Sequence, residues 1–147
     1  QCQLQTDDGR SINFTGPNSA VTAVGDINER VTLSTSGGAK WQVIREDDSV
    51  ELYNAAGSLI QKTLRGGQTF TYTYSTTSTP ASVAPTPGLL LTESDAFGHT
   101  LSWPYNAGGQ MIQMTDPTGG IYQYSYTNGN LTGVTYPDGS SKSYWYN

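Results

Sequence analysis

One spacing recurs four times along this chain and limits what it can fold into. A glycine is followed five residues later by one aromatic residue and seven later by another: Gly67 with Tyr72 and Tyr74, Gly98 with Trp103 and Tyr105, Gly119 with Tyr124 and Tyr126, Gly139 with Tyr144 and Tyr146. Two aromatics separated by one residue share a face of an extended strand, because side chains there alternate with a period of two. A second half-motif runs from a tyrosine through a short turn to a glycine and then a large apolar residue: Tyr53, Gly57, Leu59; Tyr105, Gly109, Met111; and, one residue shorter, Tyr126, Gly129, Leu131. From Gly98 to Gly119 is 21 residues and from Gly119 to Gly139 is 20, room for two short strands and two turns. Self-similarity at such a period is the mark of a repeat architecture.

The local chemistry predicts hairpins. Over Ile121 to Tyr126, the residues Tyr122, Tyr124 and Tyr126 take one face and Ile121, Gln123 and Ser125 the other. Asn128-Gly129 supplies the positive dihedrals of a tight reversal, and Leu131 to Thr135 reads as the return strand. Pro137-Asp138-Gly139 makes the next turn, and Ser143 to Tyr146 restarts the pattern. A lone hairpin of this size is marginal in water, so neighbours must pair edge to edge into one meandering sheet.

The first third carries a weaker form of the signal. Gly9 has Phe14 five residues on, and Trp41-Gln42-Val43-Ile44 and Val50-Glu51-Leu52-Tyr53 read as strands around the acidic turn Glu46-Asp47-Asp48-Ser49. Residues 15–30 read as loops with short strands. The stretch 75–88 holds Pro80, Pro85 and Pro87 among Ser, Thr and Ala, and reads as a long surface connection inserted between two repeats, since the aromatic pattern resumes beyond it. The fold class expected is therefore all-β, a meander of tandem antiparallel hairpins in a spiralling sheet or part of a β-shell. Its parts are a pre-repeat β segment at 1–37 and a repeat array at 38–147.

Charge narrows the partners. Charged residues are 13% of the chain and the net charge is -5, so the clustered Lys and Arg that nucleic acid or an anionic membrane surface requires are missing. No apolar run reaches the length of a bilayer span, Leu89 to Leu91 being the longest candidate, so no membrane insertion is expected. Cys2 and His99 are each the sole residue of their kind. That leaves no internal disulfide and no zinc spacing, and neither a metal nor a cofactor is expected. Cys2 reads as a buried or incidental thiol, with acylation or an intermolecular bond as the alternative. Starting at Gln1 inside a polar strand, the chain reads as a processed or excised segment.

The segment Asp95 to Asn147, with its Asp-Ala-Phe-Gly, Asp-Pro-Thr-Gly-Gly, Asn-Gly-Asn-Leu-Thr, Tyr-Pro-Asp-Gly and Tyr-Trp-Tyr words, closely resembles the YD repeats of Rhs proteins. Trp41 to Leu59 resembles the unit that leads into such an array, so the likeness covers residues 38–147, with 1–37 similar to the family's pre-repeat strands. The Asp that usually follows the second Tyr is here Asn54, Asn106, Thr127 and Asn147. The resemblance implies a hollow β-shell, as in Rhs proteins, toxin-complex subunits and teneurins. In bacterial members the shell encloses a C-terminal toxin freed by aspartyl self-cleavage. It also implies a secreted or cell-surface bacterial protein. The implied partners are further YD repeats of the same or a neighbouring chain, and an enclosed C-terminal toxin domain. Neither the toxin nor its cleavage region is recognisable in the sequence, so the shell role carries over and toxicity does not.

Catalysis is not expected. His99 follows Gly98 at a turn, where a solvated polar residue is ordinary, and it has no evident partner for a nucleophilic triad. Glu93 and Asp95 share a strand face as a glycosidase pair would, but Asp95, Asp116 and Asp138 are read as recurring at equivalent turn positions just before glycines, where aspartate builds turns. Asp116-Pro117 is likewise the turn ahead of Gly119, and calcium-loop spacings are absent. The aromatic rows carry two readings. Cross-strand ladders would stiffen a wall. A stacking platform, with Tyr122, Tyr124 and Trp145 as the candidate residues, would take glycans. The function expected is a structural segment that builds a shell or scaffold for toxin encapsulation. The alternatives are a carbohydrate-binding adhesive module or a self-assembling extracellular filament subunit, since open strand edges invite pairing between copies.

Overall fold

The computed structural model describes residues 2–6, 9–15, 22–23, 28–34 and 38–146. It contains strands and no helix among them, and the chain divides into two compact units, Gln1–Phe70 and Thr71–Asn147.

In the first unit, β1 (Cys2–Gln5), β2 (Ser11–Thr15) and β3 (Thr22–Ala23) form a three-stranded antiparallel sheet in chain order. β4 (Arg30–Leu33), β5 (Trp41–Ile44), β6 (Val50–Tyr53) and β7 (Leu59–Thr63) follow one another as antiparallel neighbours in a second sheet. In β2 every second residue is buried, which puts Ile12 and Phe14 inward and Ser11, Asn13 and Thr15 outward. Ile12 and Phe14 join Leu4, Val31 and Val43 in one apolar core, with Trp41 and Tyr53 packed against it. Phe14 is fully buried, so the weakly patterned start of the chain holds the best-covered side chain. β8 (Thr69–Tyr74) begins at the end of this unit and runs into the second.

The second unit continues with β9 (Leu90–Asp95), β10 (Thr100–Ser102), β11 (Gln113–Thr115), β12 (Ile121–Thr127), β13 (Asn130–Thr135) and β14 (Ser141–Ser143). Strand order in the sheet equals chain order, each strand antiparallel to the last, and β14 has β13 as its sheet neighbour, so the strands do not close into a barrel. The hairpin meander read from the glycine and aromatic spacing is the observed fold. β12 carries seven residues and a bulge after Ser125, beside which Thr132 is left out of the register.

One local expectation needs adjusting. The final strand occupies Ser141–Ser143, directly after the turn, and not Ser143 to Tyr146, because pairing with Gly133 to Thr135 starts at Ser141. Within 15–30, β3 and the start of β4 are seen, while 16–21 and 24–27 lie outside the described residues, as do the Cys2 thiol and Asn147. The 75–88 connection joins β8 to β9 and closes on itself. The buried Ser75 hydroxyl donates to the Thr86 carbonyl at 2.8 Å and accepts from the Leu89 amide at 2.9 Å, and the Val83 carbonyl accepts from the Tyr105 amide. This is a compact loop with close-set ends.

Candidate functional site

The repeat is built on one turn. At Thr6–Arg10, Arg45–Ser49, Asn54–Ser58, Leu64–Gln68, Asp95–His99, Asn106–Gln110, Asp116–Gly120 and Tyr136–Ser140, the first amide donates to the fifth carbonyl, and the fourth amide to the first carbonyl. The fourth residue always has a positive φ: Gly9, Gly57, Gly67, Gly98, Gly109, Gly119 and Gly139, and once Asp48 at 62°. Only glycine takes that conformation without a steric cost, which is why the glycines keep their spacing. Gly129 belongs to a different reversal, the two-residue turn Asn128-Gly129 with φ of 51° and 83°.

The carboxylates and amides around these glycines are committed to the turns. Asn54, Asp95, Asn106 and Asp116 open their turns, and each Oδ1 accepts the amides two and four residues on at 2.8–3.0 Å. Asp138 is not their equivalent: it sits third in its turn, as Asp47 does, and accepts from the fifth amide alone. The His99 side chain pairs with Asp95 at 2.8 Å and, above other contacts, holds that carboxyl below the usual range. The Thr118 hydroxyl does the same first for Asp116, and the Ser140 hydroxyl for Asp138. Gly120, which the spacing does not single out, is required by this cap, since a Cβ there would lie 2.5 Å from Asp116 Oδ2.

The aromatic residues separate the faces of the sheet. On β12, Tyr122, Tyr124 and Tyr126 are half-buried, while Ile121, Gln123, Ser125 and Thr127 are exposed. On β8, Phe70, Tyr72 and Tyr74 are half-buried, with Thr71 and Thr73 exposed between the tyrosines. Register continues a row of hydroxyls across neighbours, half-buried there, with Ser94 opposite Thr100 and Thr92 opposite Ser102. Tyr122 meets Tyr136 edge-on with centroids 6.0 Å apart. Burial raises the phenols of Tyr105 and Tyr124 above the usual value.

Two tyrosine hydroxyls tie one hairpin to the one before. The Tyr105 hydroxyl donates to the Leu90 carbonyl at 2.7 Å and the Tyr126 hydroxyl to the Met111 carbonyl at 2.8 Å. Tyr53 donates instead to Glu51 at 2.8 Å. Trp103, half-buried, follows β10 and donates its amide to the Leu91 carbonyl. Lys142 lies over the Tyr144 ring at 5.5 Å. The last two aromatics stand apart, Trp145 being 86% and Tyr146 57% exposed. Of the three candidate stacking residues, Tyr122 and Tyr124 share one face of β12, and among the described residues no ring contact joins them to Trp145.

No group of three or more metal-ligating side chains occurs among the described residues, and no helix of theirs is long and apolar enough to cross a membrane. Residues 105–141, from the clamped Tyr105 to the first residue of β14, match the family model described as RHS Repeat. No match is found among the curated proteins.

Proposed function

We propose that this chain, whose residues 105–141 match the RHS Repeat family model, is a structural repeat segment that forms part of a shell wall around a C-terminal toxin, in a secreted or surface protein of bacteria. The observation that carries this reading is the two-sided sheet of the second unit. Its tyrosine side is tied hairpin to hairpin by Tyr105 and Tyr126, and its other side is uncharged and rich in hydroxyls on β8 and β12. A wall needs that difference between faces and that coupling along the array. It does not need a reactive centre, and Asp95 and Asp116 are occupied as turn caps, so we read the chain as non-catalytic.

The test uses the native reading frame on both sides of this segment. The expected result is a C-terminal domain that resists protease until Tyr105→Ala and Tyr126→Ala are introduced together. A C-terminal domain cut equally fast with and without the intact tyrosines would count against encapsulation. A second reading, glycan binding at the surface, is supported by the flat, open ring of Trp145. A glycan array on which Trp145→Ala binds as the parent does would remove it.

A further inference from the structure

The last repeat carries part of a device that the two before it carry whole. In all three an aromatic residue donates its amide to a carbonyl 12 residues earlier: Trp103 to Leu91 at 2.9 Å, Tyr124 to Ile112 at 2.9 Å and Tyr144 to Thr132 at 3.0 Å. Two residues further on, the hydroxyls of Tyr105 and Tyr126 reach the Leu90 and Met111 carbonyls, each one residue before the first acceptor. The matching pair in the last repeat is Tyr146 and Leu131, again 15 residues apart and again with a positive-φ glycine, Gly129, two residues before the acceptor. The Tyr144 amide has thus set the same register for Tyr146. Yet Tyr146 is 57% exposed, and no hydrogen bond of its hydroxyl is seen among the described residues.

What the two closed clamps share is a pairing on the far side of the tyrosine. Tyr105 bridges to Met111, and Tyr126 pairs with Leu131, both just after the next turn. The three residues of β14 are exposed, and β13 is its only sheet neighbour among the described residues. Such an edge displays main-chain N–H and C=O groups that another strand can take up. A strand like β13 fits it. Carried forward by 20 residues, the register of Tyr124, Ser125 and Tyr126 against Val134, Gly133 and Leu131 sets a valine opposite Tyr144, a glycine opposite Trp145 and a leucine opposite Tyr146. Trp145 is 86% exposed, and an aromatic ring laid over a cross-strand glycine stabilises a sheet edge. We infer that Tyr146 is a clamp that closes on the Leu131 carbonyl when an antiparallel strand of the β13 kind, from a further hairpin of the same repeat, pairs with the edge of β14. Pairing and clamping are coupled, because pairing fixes the backbone from which the hydroxyl reaches. This deepens the wall reading by naming what holds the next hairpin to the array, and its failure would leave the protease test of the wall as it stands.

The experiment extends the full chain after Asn147 with a copy of residues 128–135, which carry the Asn128-Gly129 turn and β13, and follows amide hydrogen exchange and urea unfolding. The extended chain is expected to protect the amides of residues 141–146. Tyr146→Phe, without effect in the parent, is expected there to lower the folding equilibrium constant roughly 2- to 12-fold, the net worth of one hydrogen bond. A second extension, with serine in place of the copied leucine and valine, is expected to give neither result. The inference is overturned if the first extension brings no protection to 141–146, or if Tyr146→Phe has the same effect with and without it. Protection of 141–146 in the parent chain that rises with protein concentration would assign the edge to a second copy, and would overturn it as well.

Discussion

The hydroxyl of Tyr126 donates to the main-chain carbonyl of Met111, 15 residues earlier, at 2.8 Å, and Tyr105 does the same to Leu90, again 15 residues earlier, at 2.7 Å. In both cases a positive-φ glycine, Gly109 or Gly88, stands two residues before the accepting carbonyl. The glycine, the accepting residue and the tyrosine thus form a unit that spans more than one hairpin. Removing only the hydroxyl isolates its contribution. Tyr105→Phe and Tyr126→Phe are each expected to cost about 0.5–1.5 kcal/mol, the usual net worth of one such bond. Tyr146→Phe is the control: its ring is 57% exposed and no hydrogen bond of its hydroxyl is seen among the described residues. Urea titration of all three, with the control moving as far as the others, would remove the clamp from the account.

Asp48 is the one non-glycine at the fourth position of the recurrent turn, with φ of 62°. Its ion pair with Arg65, at 3.6 Å between groups 81% and 60% exposed, gives little in return. Asp48→Gly is therefore expected to stabilise the first unit by about 0.5–1 kcal/mol, relief of left-handed strain exceeding the entropy cost of a new glycine. Thermal unfolding checks the sign, and a lower midpoint would show that Asp48 does something in the turn that a glycine cannot.

The hairpin order was legible because its two determinants are local. Glycine alone is strain-free in the left-handed position, and alternating aromatics mark a strand face, so Gly98, Gly119 and Tyr122 to Tyr126 announce the structure directly. The relations that were not legible join residues by geometry rather than spacing. Asp95 stands three residues before Gly98 and Asp138 directly before Gly139, and the hydrogen-bond frame turns that offset into two roles, one opening its turn and the other sitting third. Gly120 looks like a redundant second glycine until the Asp116 carboxylate is seen against its missing Cβ. Phe14 carries the repeat spacing from Gly9 without its second aromatic, and its burial depends on Leu4, Val31 and Val43.

Asp116 offers a test of the turn caps through pH. Its carboxyl is held below the ordinary carboxylate value by the Thr118 hydroxyl and then by the Gly120 and Thr118 amides. A depressed folded-state value means that stability is fully present above the unfolded value near 3.9 and is lost as pH falls through the folded one. Asn54 and Asn106 make the same cap with an uncharged amide. Asp116→Asn should therefore leave the turn intact near neutral pH and flatten the loss of stability between roughly pH 5 and 2. Chemical denaturation across that range decides it. Parallel curves for parent and variant would mean that the acid sensitivity arises elsewhere.

Glu51 sits at the centre of a network whose members differ in depth, and the depth sets the expected order of damage. Its side chain is 4% exposed, against 18% for Arg45 and 34% for Lys62. The Tyr53 phenol beside it is raised by burial and then by the carboxylate itself, so it stays a donor. Removing the carboxylate strands the half-buried guanidinium and the phenol together. Glu51→Ala should cost about 3 kcal/mol or more, in the range seen when one member of a buried pair is deleted. Tyr53→Phe loses a hydrogen bond to a charged acceptor, about 1.5–3 kcal/mol. Lys62→Met removes the most exposed partner and keeps its packing, so about 0–1 kcal/mol is expected. Because Glu51 lies opposite Val43 and Lys62 in the register of β5, β6 and β7, these changes should lower the unfolding midpoint of the first unit. A Lys62→Met loss as large as that of Glu51→Ala would show that charge balance, and not burial, governs the network.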